Sequence, residues 1–174
     1  QGGKAVAEVL FGDYNPAGRL PVTFYRNTDQ LPDFEDYNMK GRTYRFMTEK
    51  PLYPFGYGLS YTTFEYGDAR LSKNEIKPDE EVTLTLEIAN KGQRDGDEVA
   101  QVYVKNPNDP EGPIKALKAF KRVNIKSGEK QAVEIHLPAK SFQSFNDKTQ
   151  TMEVRPGQYE ILYGGSSDDR QLKS

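Results

Sequence analysis

The chain has 174 residues, a net charge of −2 and a hydrophobic fraction of 35%, enough for one domain with a sizeable core plus a shorter appendage. That charge balance argues against a nucleic-acid or anionic-membrane partner, since both demand clustered positive charge, and no apolar run approaches the ~20 residues of a membrane span. Cysteine is absent, which removes disulfides, thiolate nucleophiles and thiolate metal sites. The apolar load falls on nine Phe and eleven Tyr, each of which buries a large area.

Lys4–Phe11 reads as a short helix, with Ala5, Val6, Val9 and Leu10 on one stripe. Gly12 is placed to stop it in a left-handed cap conformation. The chain begins Gln1-Gly2-Gly3-Lys4, without a starting Met or a signal peptide, so this helix is expected to close a longer element of a longer protein. Asn15-Pro16-Ala17-Gly18 makes a turn. Leu20–Phe24 is a short extended run in which Pro21 is tolerable only at a sheet edge. Tyr25–Lys40 is polar and irregular, and a stretch of that length is either functional or a linker draped over another surface.

Gly41–Phe64 is the densest aromatic segment, with Tyr44, Phe46, Tyr53, Phe55, Tyr57, Tyr61 and Phe64 among glycines and prolines. Pro51 and Pro54 bar a helix or a central strand, so an ordered, irregular segment held down by aromatic burial is expected. From Tyr61 the period becomes two. Phe64–Leu71 reads as a first strand. Val82, Leu84, Leu86 and Ile88 line one face of a second, and Ala100, Val102 and Val104 the inner face of a third, with Gln101 and Tyr103 opposite. Leu117–Ile125 alternates imperfectly, which predicts a bulge near Phe120. Val133, Ile135 and Leu137, then Phe142–Asn146, Met152–Val154 and Tyr159–Tyr163 complete the set, with Pro156-Gly157 in the residue order of a type II turn. Seven or eight short strands with turns between them predict a mainly β chain, an antiparallel β-sandwich of fibronectin III or immunoglobulin type.

Little in the residues suggests chemistry. The single histidine, His136, sits between Ile135 and Leu137, where alternation turns it to solvent. Asp33, Glu35 and Asp36 cluster as paired carboxylates do in glycoside hydrolysis, or as an ordinary solvated loop. Arg42 and Arg45 flank Tyr44, and either contact a substrate rim or staple one domain to another. Gly56-Tyr57-Gly58 lacks the third glycine and the helix of a dinucleotide site. Asn106, Asn108, Asp109 and Glu111 do not follow the spacing of an EF-hand loop. Lys115, Lys118, Lys121 and Arg122 read as a solvated strand face. Tyr103, Phe142, Phe145 and Tyr163 are the aromatics available to stack on a sugar ring, although the chain has no Trp, the strongest platform residue. No catalytic residue, metal ligand or cofactor is assigned.

Several motifs in order carry a family resemblance. Gly41-Arg42-Thr43-Tyr44-Arg45-Phe46 with Tyr53-Pro54-Phe55-Gly56-Tyr57-Gly58-Leu59-Ser60-Tyr61 resembles the junction between the second catalytic-half domain and the fibronectin type III-like domain of glycoside hydrolase family 3, in its β-xylosidase and β-glucosidase members. Gly12–Phe24 is similar to the close of the family's α/β-sandwich domain. Ala119–Val123, Ser127-Gly128-Glu129, Val154–Tyr159 and Gly164–Ser167 are similar to its fibronectin III-like module. The resemblance implies residues 1–24 as the tail end of the α/β domain, a short helix–strand remnant, 25–60 as an irregular aromatic linker and 61–174 as the sandwich. It implies retaining hydrolysis of β-glucosides or β-xylosides by a nucleophilic aspartate and an acid/base residue upstream, so the fragment alone is expected to be inactive and structural. Tyr37, Arg42, Tyr44, Arg45 and Tyr53 are then the candidate docking or active-site-rim residues. The expected partners are upstream domains of the same polypeptide and an oligosaccharide, and the expected location is periplasmic or secreted. An ancillary carbohydrate-binding or adhesion-type fibronectin III module is the alternative.

Overall fold

The computed structural model describes residues 1–174. A tail helix α1 (Gly2–Leu10) and a one-turn helix α2 (Thr43–Phe46) precede eight strands. These are β1 (Phe64–Leu71), β2 (Val82–Asn90), β3 (Gly96–Lys105), β4 (Ala116–Ile125), β5 (Lys130–Leu137), β6 (Gln143–Asn146), β7 (Thr151–Val154) and β8 (Glu160–Gly164). Antiparallel pairing gives one sheet in the order β1-β2-β5, a second in the order β4-β3-β8, and a separate β6-β7 hairpin. The expected sandwich is the observed architecture.

Alternation builds the core. Val82, Leu84, Leu86 and Ile88 of β2 face Val102, Val104 and Ala100 of β3 across the two sheets, with Val133, Ile135 and Leu137 completing the layer. Each Val, Leu or Ile among them contributes about 1.5–3 kcal/mol when fully buried. The edges are guarded. The Lys121 ammonium of β4 donates to the carbonyl of Glu134 on β5 at 3.2 Å, and the chain end covers β8 through reciprocal bonds between Tyr163 and Lys173. Charged and covered edges of this kind suppress strand addition.

Several expectations are corrected in detail. The first helix spans Gly2–Leu10 rather than Lys4–Phe11, with Phe11 as its cap and Gly12 at φ +80° as expected. Leu20–Phe24 forms no strand; a single bridge from Phe24 to Tyr53 ties it to the junction, and Pro21 needs no donor there. The β4 bulge lies at Lys118, since Val102 pairs with Ala119 and Tyr103 with Leu117, two residues before Phe120. Phe142 ends a 3₁₀ turn rather than starting a strand. Gly157 sits at φ +150°, away from the roughly +80° of a type II turn.

One buried polar side chain joins the two sheets. Asn90, 1% exposed, ends β2. Its amide donates to the carbonyls of Arg94 at 2.7 Å and Ile125 at 2.9 Å, while its oxygen accepts from Gly92 N at 3.1 Å and from the Thr62 hydroxyl. Replacing Asn90 with Ala leaves these groups without partners in a dry interior. A loss of about 3 kcal/mol is expected, read as a lower denaturant midpoint in equilibrium unfolding.

Candidate functional site

The candidate site is the seat of the aromatic junction on β3. Alternation sends Gln101 and Tyr103 to the side of β3 away from the core, yet both are buried, because the junction lies across them. Tyr103 donates to the Gln101 side-chain oxygen at 2.6 Å. The Gln101 amide donates to the carbonyls of Gly56 at 3.2 Å and Gly165 at 2.5 Å. Gly56 has φ +78°, and a Cβ there would stand 2.1 Å from the Gln101 oxygen. Glycine therefore meets a backbone and a space requirement at one position, and Gly56 packs a protein side chain rather than a phosphate.

Tyr44 is the hub above this seat. Its ring stacks on Phe55 at 4.4 Å and meets Tyr103 edge-on at 5.8 Å. Its hydroxyl accepts from Leu117 N of β4 at 2.9 Å, and its own amide donates to Thr23 Oγ1 at 2.9 Å. One residue of α2 thus touches tail, junction and sandwich. A second anchor comes from the tail. Arg19 pairs with Glu98 of β3 at 2.5 Å, with side chains only 13% and 5% exposed, and Tyr66 donates to the other Glu98 oxygen at 2.7 Å. Burial raises the Tyr66 hydroxyl far above its ordinary range, helped by the Glu98 charge beside it. Burial does the same to Tyr103, next to Tyr44. Around the helix end, Asn15 accepts from Tyr61 N at 2.8 Å and Arg94 donates to the Gly12 carbonyl at 2.6 Å.

The other candidates divide between holding the fold and facing out. Arg42 reaches no carboxylate. It donates from Nε to the Asn38 carbonyl at 2.9 Å and from Nη2 to that of Asp36. Arg45 is exposed, its guanidinium 5.8 Å from the Phe46 ring centre, and its carbonyl accepts from Ile114 N at 2.7 Å. Tyr53 stacks on Tyr57 at 5.1 Å and keeps one side in solvent, and Tyr37 is almost fully exposed. Asp33, Glu35 and Asp36 lie on an open loop. The amide and side chain of Asn38 hold the Asp36 carboxyl below its usual range. His136 faces outward, as expected, 3.1 Å from Thr83 Oγ1.

One grouping from the sequence is overturned, and a second is corrected at one residue. Of the aromatics expected to offer a sugar platform, Tyr103, Phe142 and Tyr163 are buried and only Phe145 is exposed. The junction covers Tyr103, while the other two belong to the core. Lys115 is likewise 4% exposed rather than solvated, paired with Asp169. A cleft of about 500 Å³ opens above it, lined by Tyr44, Tyr53, Tyr57 and Asp168 among others. Hydrogen bonds from Arg170 hold the Asp168 carboxyl down, so Asp168 is poorly suited to donate a proton.

Residues 1–61 match the glycosyl hydrolase family 3 C-terminal domain. Residues 98–167 match the fibronectin type III-like domain. The chain belongs to glycoside hydrolase family 3. Among curated relatives of this family 3 segment, a xylan 1,4-β-xylosidase of Xylanibacter ruminicola is 50% identical across 99% of the chain, which is 20% of that protein. A periplasmic β-glucosidase of Salmonella typhimurium is 37% identical across 96% of the chain and 23% of its own length. The structure of a β-glucosidase from Erythrobacter marinus superposes with a TM-score of 0.84 at 38% identity, covering 99% of this chain and 23% of that one. The family 3 segment thus spans about a fifth to a quarter of the proteins it matches.

Arg19→Ala leaves Glu98 buried without its cation and is expected to cost about 3–5 kcal/mol, read by chemical denaturation. Charge repair by Arg19→Met with Glu98→Gln should recover part of that loss. Stability should also fall as pH rises above about 10. There the unfolded tyrosines ionise while Tyr66 and Tyr103 keep their protons in the folded chain. Each contributes a slope of up to about 1.4 kcal/mol per pH unit, and Tyr103→Phe should flatten the alkaline limb of an unfolding-versus-pH series.

Proposed function

We propose that this chain is the non-catalytic C-terminal part of a retaining β-glycosidase acting on β-xylosides or β-glucosides, and that it stabilises the domains that do the chemistry. The relatives' names and the family match support the parent activity. One observation carries the docking role. Of the eighteen large apolar side chains left exposed, fourteen lie between Val6 and Tyr61, among them Leu10, Phe11, Phe34 and Tyr37. An apolar surface concentrated on one part of a chain marks an interaction site. The sandwich from Phe64 onward has its own core and contributes only four of the eighteen.

In this reading residues 1–24 close an α/β domain, 25–60 link it and 61–174 form the scaffold. Tyr37, Arg45 and Tyr53 belong to the docking surface, while Arg42 and Tyr44 shape it from within. Among the clustered acids, Asp36 supports a non-catalytic part as well. A general acid needs a carboxyl pKa raised toward neutrality, and Asp36 is moved the other way. No helix is long and apolar enough to cross a membrane, and a relative named as periplasmic supports an exported parent.

The purified 174-residue chain is expected to release no aryl leaving group from nitrophenyl β-xyloside or β-glucoside, whereas the full-length parent turns over at least one of them. Turnover by the chain alone would place catalytic groups within it and defeat the proposal. In sedimentation the chain should self-associate with rising concentration. A strict monomer that binds no apolar dye would count against the docking role.

A further inference from the structure

Residues 28–39 form a preorganised arm with its apolar side chains turned to solvent. Phe34 and Tyr37 are 92% and 89% exposed, with Leu31 and Met39 about half exposed beside them. An unattached loop would be expected to fold such side chains against its own body. This one spends its hydrogen bonds on fixing the backbone instead. Asp36 accepts from the amide of Asn38 at 2.9 Å and from its side chain at 2.7 Å, and Asp36 N donates to the Asp33 carbonyl at 3.0 Å. Arg42 clamps the carbonyls of Asp36 and Asn38 from below. At the arm's other end Gln30 accepts from Arg26 N at 2.7 Å and donates to Glu49 at 3.0 Å and to the Lys50 carbonyl at 3.2 Å. The arm is also charged in one sense: Asp29, Asp33, Glu35 and Asp36 fall between Asn27 and Met39, with no Lys or Arg among them.

Resting on the docking role proposed above, we infer that this arm is the principal anchor of the interface, with Phe34 and Tyr37 inserted into the part of the same polypeptide that precedes Gln1. That occupant presents two apolar pockets with a basic rim. Its existence is argued from the relatives, of which this chain covers only about a fifth to a quarter. Aromatic anchors held in their bound shape lose little conformational freedom on docking, which is how a few residues come to dominate an interface. The four carboxylates select a basic surround and reject an acidic one. Arg42 is then a positioning residue, setting the arm's shape without touching the partner.

The test is amide hydrogen exchange on the full-length parent and on the isolated chain. Amides of residues 31–39 should exchange at least tenfold more slowly in the parent, while residues 114–125 of the sandwich should be unchanged. Phe34→Ala with Tyr37→Ala in the parent should abolish that protection. Phe120→Ala with Phe145→Ala, on exposed sandwich positions, should not. Protection confined to Leu10 and Phe11, with none in residues 31–39, would overturn the anchor and leave the docking role standing. Protection in neither place would overturn both. Slowed exchange of residues 31–39 in the isolated chain on adding xylo-oligosaccharide would assign the arm to a sugar, against the inference.

Discussion

A strand buried on both faces is the constraint on which the structure depends. The inner face of β3 supplies Ala100, Val102 and Val104 to the core and carries Glu98 at its end, and its outer face carries Gln101 and Tyr103, all buried as well. Burying a charge or an amide without partners costs several kcal/mol. The sandwich supplies Tyr66 to Glu98, but the cation comes from Arg19 and the cover over Gln101 from Gly56. The two faces of β3 are therefore complete only when residues from two distant parts of the chain reach them. Tail, junction and sandwich are one energetic unit, although their sequence patterns differ.

Much of this was legible in the residues and the remainder had a physical reason to be hidden. The strands, the core positions and the cap at Gly12 follow from local pattern, because a face with one period meets one environment. Gln101 and Tyr103 broke that logic, since alternation alone places them in solvent. The nearly unbroken run Val99-Ala100-Gln101-Val102-Tyr103-Val104 was the available signal, since strands covered on both sides lose their alternation. Arg19 gave no such sign, and Glu98, in phase with Ala100, gave none of its partner. A charge becomes a buried pair only through a contact 79 residues away in sequence, and no spacing encodes that. Lys115 was hidden likewise, its partner Asp169 lying 54 residues on.

The two arginines of the Gly41–Phe46 motif show why a motif does not by itself assign roles. Both have the planar fork that suits a carboxylate, yet one is turned inward as a clamp on backbone carbonyls and the other outward over a ring. The left-handed turns decide the difference. Gly41 at φ +74° and Thr43 at φ +54° reverse the chain around Arg42, and the one-turn helix that follows lifts Tyr44 onto the seat.

The Arg19–Glu98 pair also has a consequence for how the polypeptide is made. Synthesis runs from the N-terminus, and domains fold as units as they emerge. The tail leaves the ribosome with Arg19 ready, but the carboxylate that receives it is 79 residues behind. The tail stays unanchored to the sandwich until β3 has been translated and paired. The sandwich thereby sets when the tail can settle, and premature termination anywhere before β3 would leave residues 1–61 without their seat and open to proteolysis.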